Sequence, residues 1–129
     1  MRPRPSEVVA GIRSILAETI GPELSSEHAR SRLAEIRAVL AQIDWDNVGF
    51  ALTARSAELA RWLERAGQHV GEVVVPNRPE TENYAVYERY YEELAELAVQ
   101  VLGRLRTHLD EQPGDEPARH AYRGLLAAV

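Results

Sequence analysis

The longest uninterrupted helical pattern in the chain runs from Tyr84 to Leu109, without proline and with one glycine, Gly103. Apolar side chains recur along it at alternating spacings of three and four residues, which is the spacing of one helical face. At 1.5 Å per residue this segment spans about 39 Å, whereas the second predicted helix, Glu27 to Ile43, spans about 26 Å. The pattern predicts a long helix in the core of an all-α bundle.

Two predicted helices precede a turn at Asp44 to Asn47. The first opens at Pro5 with Ser6 as its N-cap, and Gly21 and Pro22 end it. The second has a seam in which apolar residues alternate at spacings of four and three, as antiparallel bundle packing requires. The apolar positions of the first helix are Val8, Val9, Ile12, Ile15, Leu16 and Ile20, and those of the second are Ala29, Leu33, Ile36, Leu40 and Ile43.

Three further helices are predicted after the turn. The third starts near Val48 and ends with Gly67 at the C′ position, where a left-handed residue commonly closes a helix. The β-branched run that follows predicts an extended linker, with Val73 and Val75 packed against the core. The long fourth helix is expected to begin near Pro79 or Thr81.

A short fifth helix is predicted by an acidic capping residue, Asp115, followed by Pro117 in the first turn. We therefore predict one domain, residues 1–129. Its expected fold is an all-α, antiparallel helical bundle of four main helices plus this short C-terminal helix.

The composition excludes several classes of function. The chain has 129 residues and a net charge of −5, so its surface as a whole would repel a nucleic acid backbone. Cysteine is absent, which rules out disulfides and thiolate metal sites. No apolar stretch is long enough for a membrane span, and the first residues do not form an export signal. We expect a soluble, cytoplasmic protein.

No catalytic, metal or cofactor site is predicted. The four histidines are dispersed and lack the spacing to a carboxylate that a helical metal site uses. His108 continues the apolar row of the long helix, and a structural role near the helix C-terminus is the favoured interpretation. Glu88, Glu92 and Glu96, with Glu93 beside them, are interpreted as a solvated face.

Arg55 lies where the apolar spacing of the third helix places its buried side. Helical drift could put Ser56 there instead. If Arg55 points inward it needs a partner, because a buried unpaired cation is costly. A carboxylate or a tyrosine hydroxyl of the fourth helix is the favoured partner, and a bound anion is the alternative.

Four of the five tyrosines crowd the start of the long helix: Tyr84, Tyr87, Tyr90 and Tyr91. Core packing accounts for Tyr87 and Tyr91, whereas Tyr84 and Tyr90 could serve an interface, a pocket or the core. Tyrosine combines a large apolar face with a polar tip and is common in partner surfaces. The length of this helix leaves its tyrosine end uncovered, which predicts a homodimer with Tyr84, Tyr87 and Tyr90 in or near the interface.

One resemblance to known proteins is visible in the first half. The stretch from Ser26 to Arg30, continuing through Leu33 to Arg37 and on to Trp45, resembles small all-helical bacterial proteins of unknown function. That group is loosely associated with genes for acyl-coenzyme A dehydrogenases and aminoglycoside-phosphotransferase-like kinases. The resemblance implies a bacterial source and a helical fold, and it carries no functional residues.

Two classes of function follow. The first is a non-catalytic helical module that self-associates or docks onto an enzyme partner through the tyrosine-rich end of the long helix. The second is a small-molecule-binding protein or enzyme with a pocket between helices. Tyr87, Tyr91 and Trp62 would line that pocket, with Arg55 as its polar anchor.

Overall fold

The computed structural model describes residues 2–129 and shows an all-α fold, 76% helical, with no strand among those residues. The helices are α1 (Pro5–Ile15), α2 (Glu27–Gln42), α3 (Phe50–Val70), α4 (Tyr84–Glu111) and α5 (Glu116–Ala128). A π-helical turn (Leu16–Ile20) and a 3₁₀ turn (Gly21–Glu23) extend α1. The predicted fold class is confirmed, and bundle packing is seen among α3, α4 and α5.

The described chain divides into two compact units, residues up to Val48 and residues Gly49–Val129. The first unit is an antiparallel helical hairpin. Its open end is closed by Ser6, whose backbone N–H and Oγ–H donate to the Asp46 carboxylate at 3.0 and 2.6 Å. Midway, Arg13 Nε donates to the Arg37 carbonyl at 3.2 Å. The single-domain assignment of residues 1–129 stays a prediction.

The second unit has a closed apolar core built from three helices. Helices α3, α4 and α5 each contribute leucine and alanine side chains that are inaccessible to solvent, and two tyrosines and a valine of α4 join them. The core residues are Leu59, Leu63, Ala66, Tyr87, Tyr90, Leu94, Ala98, Val101, Leu105, Ala118, Ala121 and Leu125. Val73 and Val75 of the extended segment pack against this core, as predicted.

Two predicted boundaries in this unit are wrong. Helix α3 passes through Gly67 and ends at Val70, and Gly71, with a φ of 92°, terminates it. Gly67 does not end the helix but allows a close contact. A Cβ there would lie 3.1 Å from the Val73 Cβ, so the glycine lets the extended segment cross the helix. Helix α4 starts only at Tyr84, because Asn83 is its N-cap and accepts the Val86 N–H at 3.2 Å.

The first helix also begins differently from the prediction. Its N-cap is Arg4, one residue before Pro5, and the Glu7 carboxylate accepts the Arg4 N–H at 3.0 Å. Ser6 therefore lies inside the first turn, where its hydroxyl serves the bond to Asp46 rather than a cap. The predicted cap of α5 is confirmed, since Asp115 accepts the Ala118 N–H at 3.1 Å.

Candidate functional site

The four clustered tyrosines of α4 separate into buried and exposed members. Tyr87 and Tyr90 are only 8% and 7% exposed, and their rings meet edge to face with centroids 6.0 Å apart. Burial, reinforced by Tyr87 and Glu64, raises the pKa of Tyr90 above its ordinary value, while Arg78 opposes the shift. Tyr84 is 50% exposed and Tyr91 is half-buried. Of the four, Tyr84 presents the most surface to a partner.

Tyr84 lies beside the start of α3. Gly49, the N-cap of α3, has a φ of 90°, and a Cβ there would sit 3.7 Å from the Tyr84 ring. Phe50, the first residue of α3, is 70% exposed. We call Phe50 and Tyr84 the aromatic end of the second unit. Tyr84 is the most accessible member of the predicted tyrosine surface.

Arg55 is exposed, and Ser56 occupies the buried position on α3, as the alternative based on helical drift allowed. The Ser56 hydroxyl donates to the Leu52 carbonyl at 2.8 Å, so burial leaves it satisfied. Arg55 Nη2 donates to the Tyr91 hydroxyl at 2.9 Å, and its guanidinium lies 4.9 Å from the ring centroid. The expected tyrosine hydroxyl is thus its partner, at the surface rather than in the core.

Trp62 contacts a different helix from the one that Arg55 contacts. Its ring meets His120 of α5 edge-on, with centroids 5.5 Å apart, and the Arg65 guanidinium lies 5.1 Å from the ring centroid. A Cβ added to Gly124 would clash with the ring, so α5 approaches α3 through a glycine. Trp62 therefore packs towards α5 while Arg55 reaches α4, and the structure does not bring these two predicted pocket residues together.

His108 pairs with the capping residue of the next helix. Its Nε2 lies 2.7 Å from Asp115 Oδ2, and both side chains are roughly one quarter exposed. The hydrogen bond with His108 and that from the Ala118 backbone lower the pKa of the Asp115 carboxyl. The pair joins the end of α4 to the start of α5. The structure therefore gives His108 a side-chain partner in addition to its place near the C-terminus of α4.

The acidic row of α4 is solvated. Glu88, Glu92, Glu93 and Glu96 are all exposed, in agreement with the interpretation of the sequence. Within residues 2–129, no three acidic, histidine or cysteine side chains come together in a way that could hold a metal ion.

A group of exposed apolar side chains lies in the first unit, where the sequence predicted bundle core. Within residues 2–48 no side chain is buried, and aliphatic side chains of both helices are 40–55% exposed. We call the following six residues the hairpin face: Val8, Ile12 and Ile15 of α1, and Ile36, Val39 and Ile43 of α2. The exposure of this face could not be predicted from the sequence. An apolar stripe shows that one face of a helix is suited to burial, but not which element or chain packs against it.

Both halves of the hairpin face lie on one side of the hairpin. Half-buried Val9 and Leu16 mark the side of α1 that faces α2, and half-buried Leu33 and Leu40 mark the facing side of α2. With 100° between successive residues, each exposed stripe lies about a quarter turn from these contacts. Because the helices are antiparallel, both quarter turns lead to the same side. The result is one continuous apolar surface.

Comparison with known protein families, with curated proteins and with solved structures finds no match. Among the helices of residues 2–129, none combines the length and the apolar character needed to cross a membrane.

Proposed function

We propose that this chain is a non-catalytic helical interaction module that assembles with another protein chain through the hairpin face. The observation that carries the proposal is the exposure of six aliphatic side chains on one side of a hairpin that buries no residue of its own. The proposal keeps the class of function expected from the sequence and moves the main surface from the tyrosines to the first two helices.

The energetic argument rests on what a hairpin can do alone. Burying apolar surface contributes roughly 25 cal/mol per Å², and an isolated pair of short helices is marginal without such burial. Large continuous apolar patches on a soluble protein mark interaction sites. A partner that covers the hairpin face would supply the burial that α1 and α2 do not supply to each other.

The aromatic end is a second, smaller surface. Phe50 and Tyr84 are exposed by 70% and 50%, and aromatic side chains are favoured in protein interfaces. This supports the docking role first expected for the tyrosine-rich end of α4, with Tyr84 rather than the buried Tyr87 and Tyr90 as its contact.

Site-specific photo-crosslinking in cells tests the proposal. A photo-reactive amino acid replaces Ile36, in the hairpin face. The matched control replaces Ala38, which is also exposed on α2 but points away from that face. We expect a cross-link to a protein chain from position 36 and little from position 38. Equal cross-linking at both positions, or none at either, would contradict the proposed function.

A further inference from the structure

We propose that the chain on the hairpin face is a second copy of the same hairpin. The two copies would form a four-helix bundle with a two-fold axis parallel to the helices, so that α1 of one copy lies on α2 of the other. This rests on the proposed function and adds the identity of the partner. The argument uses the shape and the area of the hairpin face.

The first step concerns shape. Val8, Ile12 and Ile15 are spaced by four and three residues, and Ile36, Val39 and Ile43 by three and four. Each stripe covers two helical turns, about 10 Å. The bonds from Ser6 to Asp46 and from Arg13 to Arg37 set the two stripes at the same height in the antiparallel hairpin. A surface made of two equal stripes at one height is self-complementary under a two-fold rotation.

The second step concerns area. The half-exposed side chains of the hairpin face offer on the order of 500 Å² per copy, or about 1,000 Å² in a pair. That reaches the size that a specific interface needs before flanking polar side chains are added. The aromatic end, with two exposed rings, offers much less. The hairpin face is therefore the surface on which a stable pair of copies would form.

Sedimentation equilibrium of the full chain at micromolar concentrations tests the inference. We expect a dimer whose dissociation constant rises at least tenfold in Ile12→Glu, while Ala38→Glu on the polar side leaves it unchanged. Circular dichroism of each variant checks that the helices are retained. A native chain that is monomeric at 100 μM, or a dimer insensitive to Ile12→Glu, would overturn the inference.

The mass of the photo-crosslinked product separates the inference from the function on which it rests. A product from position 36 with twice the mass of the chain supports both. A product with a different protein overturns the inference and leaves the proposed function standing. An intramolecular cross-link would contradict both.

Discussion

The two units of this chain differ in how far their aliphatic side chains are exposed to solvent. In residues Gly49–Val129, leucines such as Leu63, Leu94 and Leu105 are wholly inaccessible to solvent. In the described part of the first unit, Ile12 and Ile36 remain about half exposed, although their helices have equally regular apolar spacing. Three helices can surround a core, whereas two helices expose the sides that do not face each other. The comparison shows that a helical stripe specifies burial without specifying the partner.

The largest effect should come from removing a core side chain of the second unit. Leu105→Ala should lower the free energy of unfolding by about 2–5 kcal/mol, because it leaves a cavity in a closed core. Ile36→Ala, measured by chemical denaturation at a concentration where the chain is monomeric, should cost less than about 1 kcal/mol. Equal costs would show that the first unit is as well packed as the second.

A pair of glycine substitutions tests packing within the second unit. Gly124→Ala should destabilise it by about 1–3 kcal/mol, because the new methyl group would overlap the Trp62 ring. Gly103→Ala, also within a helix but with no atom within 4 Å of the added Cβ, should stabilise by about 0.5–1 kcal/mol. Thermal melting of both variants measures the difference. A tolerated Gly124→Ala would contradict the close approach of α5 to Trp62.

One aspartate in each unit makes stability depend on pH in the acid range. Hydrogen bonds from Ser6 lower the pKa of the Asp46 carboxyl, and the bond with His108 lowers that of Asp115. A folded-state pKa below the ordinary value of about 3.9 means that the folded chain binds fewer protons. The stabilisation is therefore present above about pH 4 and is lost as the pH falls through the folded-state values.

Chemical denaturation between pH 2.5 and 6 measures this effect. In Asp46→Asn, the stability of the hairpin should depend less on pH in the acid range, while that of the second unit is unchanged. In Asp115→Asn, the stability of α5 should depend less on pH in the same range. An unchanged pH profile in either variant would mean that the corresponding carboxylate adds no stability in its ionised form.

The smallest effect is expected at Arg55. Its contact with Tyr91 is exposed, so Arg55→Leu should change the free energy of unfolding by at most about 1 kcal/mol. Tyr91→Phe, which removes only the hydroxyl, should cost less still. Neither change should alter phosphate binding, measured by calorimetry. A change in phosphate binding with unaltered stability would instead identify Arg55 as an anion site.

Local signals in the sequence accounted for most of the fold. Asp115 and Pro117 predicted the start of α5, because a capping carboxylate and a first-turn proline act within one turn of helix. The predicted end of α3 at Gly67 was wrong, because glycine is a common helix terminator. Here its small size instead allows the close approach of Val73. That contact lies outside the helix itself, so helical periodicity carries no information about it.

The candidate site was less predictable than the helices. The sequence indicated that a tyrosine hydroxyl could hold Arg55, but one step of helical drift decides between Arg55 and Ser56 for the buried position. The clustered tyrosines drew attention to α4, although Tyr87 and Tyr90 serve the core. The exposure of the hairpin face could not be predicted, because its residues have the spacing of ordinary core positions. Whether such positions are buried depends on which helices surround them.

Amide hydrogen exchange followed along the chain at several protein concentrations tests the central contrast most directly. We predict that amides of α3, α4 and α5 exchange slowly and independently of concentration, because their core is closed within the chain. Amides of α1 and α2 should exchange quickly at low concentration and gain protection as concentration rises and the hairpin face is covered. Equal, concentration-independent protection of all five helices would contradict the account.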